Sequence, residues 1–87
     1  MSRLTLELTY DIDARKVLSF YFTRAQLQKL YSLLCGDAPK TMKVANYYFY
    51  YDHSYLGHNT NKEHASKYGF HERPAEIKEK IRRLLLQ

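Results

Sequence analysis

Leu4, Leu6, Leu8 and Tyr10 alternate with Thr5, Glu7 and Thr9, the period of a strand with one face buried. Leu18, Phe20 and Phe22 repeat the pattern against Val17, Ser19 and Tyr21. The polar run from Asp11 to Lys16 between them is turn-like, so the two runs predict a β-hairpin. Thr23-Arg24-Ala25-Gln26 then reads as a capping box, in which hydroxyl and amide side chains each satisfy a backbone N–H at a helix start. Leu27, Leu30, Tyr31 and Leu34 follow at i, i+3, i+4 and i+7, so an amphipathic helix begins there. Gly36 is placed to end it in a left-handed conformation, and Pro39 to prevent its resumption.

Lys40 to Tyr51 has no helical period. One alternating set is Met42, Val44, Asn46, Tyr48 and Tyr50; the other is Lys43, Ala45, Tyr47, Phe49 and Tyr51. Both are largely apolar or aromatic, which predicts a third strand packed on two faces. Asp52 to Asn59 is expected to be loop. Thr60-Asn61-Lys62-Glu63 reads as a second capping box, opening a short helix that ends near Tyr68-Gly69. Pro74 fits the first position of a last helix, with Ile77, Ile81, Leu84 and Leu85 as its buried stripe. Early Glu76 and late Arg82 and Arg83 suit its dipole. The order ββαβαα predicts one small α+β domain over residues 1–87. Its three-stranded, mainly antiparallel sheet has helices packed on one face, leaving the other to solvent or a partner.

Composition narrows the classes. A single Cys in 87 residues excludes an intramolecular disulfide framework. The chain lacks the run of about 18 apolar residues that a membrane span needs. Met1-Ser2-Arg3-Leu4-Thr5 lacks the apolar region of a signal peptide, so a cytoplasmic, membrane-free setting is expected. Fourteen Lys and Arg against nine Asp and Glu give a net charge of +5, which favours an anionic partner. The excess is diffuse: seven basic against four acidic residues up to position 46, and seven against five after it. Lys78, Lys80, Arg82 and Arg83 are interleaved by Glu76 and Glu79, as on a solvated helix face.

The aromatics are local. Six of nine Tyr and all four His fall between residues 47 and 71. Tyr is a good strand former and can line a half-exposed sheet, and it also brings large contact area with few rotors. Tyr47, Tyr48, Tyr50, Tyr51 and Tyr55, with His53, His58 and Asn59 from the expected loop, are therefore the candidate contact residues. The primary expectation is a non-enzymatic binding protein that meets a macromolecular protein partner through this strand and loop, with self-pairing of the strand into a homodimer as a variant. The style of the chain is that of phage- or plasmid-type accessory proteins, including inhibitors of host defence. The alternative is a nucleic-acid-binding module, with the same rings stacking bases while Lys43, Lys62 and Lys67 track phosphates.

A third reading is a small metal-dependent nuclease built on a His/Asp cluster. His53, His58, His64 and His71 lie close in sequence beside Asp52 and Glu63, but none is spaced as a helical ligand pair. The order Asp52-His53, Asn61, His71 is similar to that of HNH nucleases, but the gap is about half as long and the Gly- or Cys-rich elements are missing. Tyr48-Phe49-Tyr50 followed by Tyr55-Leu56-Gly57 is similar to the GIY-YIG nuclease pattern, without a match for its catalytic Arg. Neither likeness assigns a family. Cys35 falls at a helix C-terminus, where the dipole disfavours a thiolate nucleophile. No catalytic residue, metal ligand or cofactor is expected.

Overall fold

In the computed structural model, which describes residues 3–37 and 39–87, the alternating runs form the expected hairpin. Strands β1 (Leu4–Thr9) and β2 (Val17–Phe22) pair antiparallel, with Leu6 opposite Phe20 and Glu7 opposite Ser19. Leu6, Leu8, Phe20 and Phe22 point inward and are buried. Helix α1 (Arg24–Cys35) starts on the predicted capping box, whose two bonds both form. Gln26 N–H donates to Thr23 Oγ1 at 3.2 Å, and Thr23 N–H to Gln26 Oε1 at 3.0 Å. Gly36 ends the helix in an extended conformation (φ −84°, ψ −179°), not the left-handed one expected. Ala38, between Gly36 and Pro39, lies outside the described residues, as do Met1 and Ser2.

The segment read as one long strand is a hairpin. β3 (Lys40–Val44) and β4 (Tyr47–Asp52) pair antiparallel around a two-residue loop, Ala45-Asn46. Ala45 carries the turn at φ 54°, a left-handed conformation that favours glycine. The expected loop after Asp52 contains a strand, β5 (Tyr55–Asn59), which pairs antiparallel with β4. The Asp52 carboxylate closes that turn by accepting from Ser54 N–H at 3.1 Å. The second capping box yields a single 3-10 turn, Lys62–His64, capped by Asn61 rather than Thr60. Helix α2 (Pro74–Leu85) begins at Pro74 and buries Ile77 and Ile81.

The fold is thus α+β, with sheet membership different from the expected one. The β1–β2 hairpin is a separate two-stranded sheet, and the three-stranded antiparallel sheet is β3–β4–β5. Residues 68–71 stitch the two together. Gly69 bridges to Gly57 and Phe70 to Tyr10. His58 N–H donates to Tyr68 O at 2.8 Å, Asp11 N–H to Gly69 O at 3.1 Å, and His71 N–H to Thr9 O at 2.8 Å. Both helices share one core with the inner faces of the two sheets.

The β1 edge away from β2 is closed further along by side chains. The Glu72 carboxylate accepts from Thr9 N–H at 2.8 Å and from Thr9 Oγ1 at 3.1 Å. Lys80 Nζ donates to Glu7 O and to Glu72, each at 3.0 Å. Burial alone would raise the Glu72 carboxyl, but the Thr9 N–H and Lys80 outweigh it and hold its pKa below the ordinary value. The guanidinium of Arg24 donates to Leu85 O at 2.7 Å and to Gln87 O, tying the start of α1 to the end of α2.

Candidate functional site: the outer face of the three-stranded sheet

Strand alternation splits the Tyr cluster into two sets. Tyr47, Phe49 and Tyr51 face inward. Phe49 is fully buried and Tyr51 is 6% exposed. The Tyr47 ring meets Phe20 edge-on at 5.0 Å and lies against Phe22. Tyr48 and Tyr50 point the other way and are half-buried. Register sets Lys43 and Asn59 beside Tyr48, and Thr41 and Gly57 beside Tyr50. Lys43 Nζ stands 5.6 Å from the Tyr48 ring centre, a cation–π contact. Neither described α-helix covers this face, because α1 and α2 both join the core behind it. The sheet therefore presents two adjacent phenol rings, an ammonium and an amide on a rigid backbone.

Tyr55 belongs to the scaffold. A Cβ on Gly69 would lie 2.3 Å from the Tyr55 ring, so the ring lies against the bare backbone of that residue. Its hydroxyl donates to Ser66 O at 3.1 Å. Burial, then Asp11 and Asp52, push its pKa above the ordinary phenol value. Gly57 is equally constrained: a Cβ there would meet Ala65 O at 2.4 Å. Residues 65 and 66 thus cross directly over β5, beside Tyr50. Lys62 and Lys67, both exposed, sit on the segment that makes this crossing.

The four histidines separate. His53 is exposed in the β4–β5 turn, His71 is exposed, and His64 is half-buried. His58 is 6% exposed and lies in the core side of β5. It stacks on Phe70 at 4.5 Å and 12°, with Phe20 edge-on at 5.7 Å. Its Nδ1 lies 2.9 Å from Tyr68 O; a carbonyl only accepts, so Nδ1 carries the proton. Burial lowers the His58 pKa, partly offset by that bond, and the ring is neutral near pH 7. Tyr10, His58, Asn59, Thr60 and Tyr68 line a shallow cleft of about 300 Å³ at the sheet seam. Among the described residues no three His, Cys, Asp or Glu side chains are grouped to hold a metal ion. Cys35 is exposed at the end of α1. No described helix is long and apolar enough to cross a membrane.

Of the candidate contacts, the structure gathers Lys43, Tyr48, Tyr50 and Asn59 on one face, with Lys62 and Lys67 on the adjoining segment. Tyr47, Tyr51 and His58 are turned into the core, and Tyr55 onto the backbone of Gly69 and Ser66. The two-residue loop Ala45-Asn46 is what fixes this sorting, and its Ala offers no usual hairpin signal. Gly57 and Gly69 are the legible signal for the crossing, since glycines in extended segments mark close backbone approach. Compared with known protein families, curated proteins and solved structures, the chain matches none.

Proposed function

We propose that this protein is a non-enzymatic binding module that holds a macromolecular protein partner on the outer face of β3–β4–β5. The observation that carries the reading is the placement of Tyr48 and Tyr50 side by side on a sheet face that neither α1 nor α2 covers. Tyr rings on a strand lose few rotors on contact and keep a polar tip, which suits them to interfaces. Lys43 over Tyr48 adds a cation to the rim and favours an acidic surface opposite. A phage- or plasmid-type accessory role, such as blocking a cytoplasmic host-defence protein, fits a small basic chain of this kind.

The test is partner recovery by tagged protein, comparing the unaltered chain with Tyr48→Ala and Tyr50→Ala, each shown to be folded by circular dichroism. Loss of recovery with both variants supports the reading; equal recovery by both refutes it. The Lys43–Tyr48 pair also favours a second reading, in which single-stranded nucleic acid stacks on the same rings. A gel shift that weakens steeply with salt and is lost in Tyr48→Ala would assign the face to nucleic acid.

A further inference from the structure

The outward backbone groups of β2 present a different surface. Tyr10 N–H bonds to Lys16 O across the hairpin, whereas the groups of Glu7, Thr9 and Asp11 bond away from β2. By the antiparallel alternation, the N–H and C=O of Val17, Ser19 and Tyr21 then point away from β1. Among the described residues, none of these groups has a hydrogen-bond partner. Val17 is 57% exposed and Tyr21 59%. The other sheet edges are blunted: Glu72, Lys80 and residues 69–71 cover β1, and β3 carries Lys40 and Lys43. β2, Val17-Leu18-Ser19-Phe20-Tyr21-Phe22, has neither charge nor proline, and none of its residues is a cap or bulge.

We propose that β2 pairs antiparallel with β2 of a second copy of this chain, about a two-fold axis at Ser19. Open edges of this kind are templates for strand addition. The sequence selects its own copy as the occupant because it is self-complementary in one register. With Ser19 opposite its symmetry mate, Val17 falls opposite the partner's Tyr21 and Tyr21 opposite the partner's Val17. This is an aromatic–β-branched pair, formed twice, of the kind that stabilises antiparallel ladders. The same register closes about six backbone hydrogen bonds from groups that are otherwise unmet. Charge permits it. No ionised side chain enters the pairing rows, the Lys16 of each copy lies at opposite ends of the ladder, and Arg24 is held back on Leu85 O and Gln87 O. The interface is small, so association is weak and concentration-dependent. It uses neither Tyr48 nor Tyr50 and stands apart from the partner proposed for their face.

The test begins with sedimentation of the whole chain over a concentration series up to the millimolar range. A rising weight-average mass is expected, and a monomer throughout overturns the proposal. Ser19→Lys sets two ammoniums against each other and removes self-association; dimer persisting in a folded Ser19→Lys variant overturns it. Register is read by cross-linking in a Cys35→Ser background. Hydrogen-bonded antiparallel partners lie about 5.5 Å apart at Cα, within the span a disulfide bridges. Ser19→Cys is therefore expected to form a covalent dimer under mild oxidation. Val17→Cys is not, because the two copies of residue 17 are offset by about four residues along the ladder, or about 13 Å. Equal cross-linking of the two, or none at position 19, overturns the register and with it the proposal.

Discussion

The two faces of β4 are built from the same residue type and have opposite roles. Inward, Tyr47, Phe49 and Tyr51 fill the core beside Phe20, Phe22 and Leu56. Outward, Tyr48 and Tyr50 rest on Lys43, Thr41, Asn59 and the bare backbone of Gly57. The Tyr count of this strand carries no information about which rings are available; pleat and register carry all of it. Side chains that look interchangeable in the sequence therefore have unequal energetic weight, and substitution measures the inequality directly.

The largest separation is expected at Phe49. Phe49→Ala empties a fully buried ring site and lowers stability by about 3–5 kcal/mol, seen as a shifted urea midpoint. A loss under about 1 kcal/mol would mean that the inner face is not the core described here. Gly57→Ala comes next, because its Cβ would collide with Ala65 O at 2.4 Å. A cost of about 1–3 kcal/mol is expected from this overpacking, with the 60–67 segment displaced from the outer face. Thermal unfolding together with amide protection of residues 65–67 reads both effects.

Acid sharpens the comparison from the inner side. The folded pKa of His58 lies below its ordinary 6.5, so the unfolded chain takes up the proton more readily. That contribution is whole above pH 6.5 and is lost as pH falls through the folded value. Glu72, whose folded pKa lies below 4.5, adds a second loss at more acidic pH as the clamp on Thr9 and Lys80 is protonated. Unfolding midpoints followed against pH should show two limbs, and His58→Phe should flatten the upper one. An unchanged upper limb in that variant would assign it to another group.

The smallest effects belong to the turn and the outer face. Ala45→Gly relieves a left-handed strain of roughly 1–2 kcal/mol, and after the added chain entropy of glycine is expected to stabilise the protein by about 1 kcal/mol, read as a raised urea midpoint. Tyr50→Ala is expected to cost only about 0.2–1 kcal/mol, the range of a cross-strand pair. Were it to cost as much as Phe49→Ala, Tyr50 would be a core residue and the face would lose its candidate role.

What could be read in the sequence was local. Thr23 and Gln26 satisfy each other three residues apart, so the start of α1 is legible, as are the clean alternation of β1 and β2 and Pro74 at the head of α2. The β3–β4 turn was not, because Ala45-Asn46 lacks the glycine that marks such loops, and aromatics on both sides of β4 hide the change of strand. His58 reads from sequence as a contact residue in a loop because its type is polar; only the stack on Phe70 and the bond to Tyr68 O make it core. The seam at residues 68–71 is a pair of isolated bridges, too short to leave a periodic trace. Tyr47, Tyr51 and His58 share a segment with Tyr48, Tyr50 and Asn59 but turn into the core, a sorting that pleat sets and composition does not.

The clamp on β1 has a consequence for the chain as it is made. Thr9 and Glu72 are 63 residues apart, so the hairpin emerges from the ribosome long before the carboxylate that will cover its edge. In that interval β1 and β2 both expose open edges, and a nascent chain stopped before residue 68 would keep them so. Translation speed across the intervening segment, and any chaperone able to cradle the bare β1 edge, then become determinants of yield for a protein whose finished form has that edge closed.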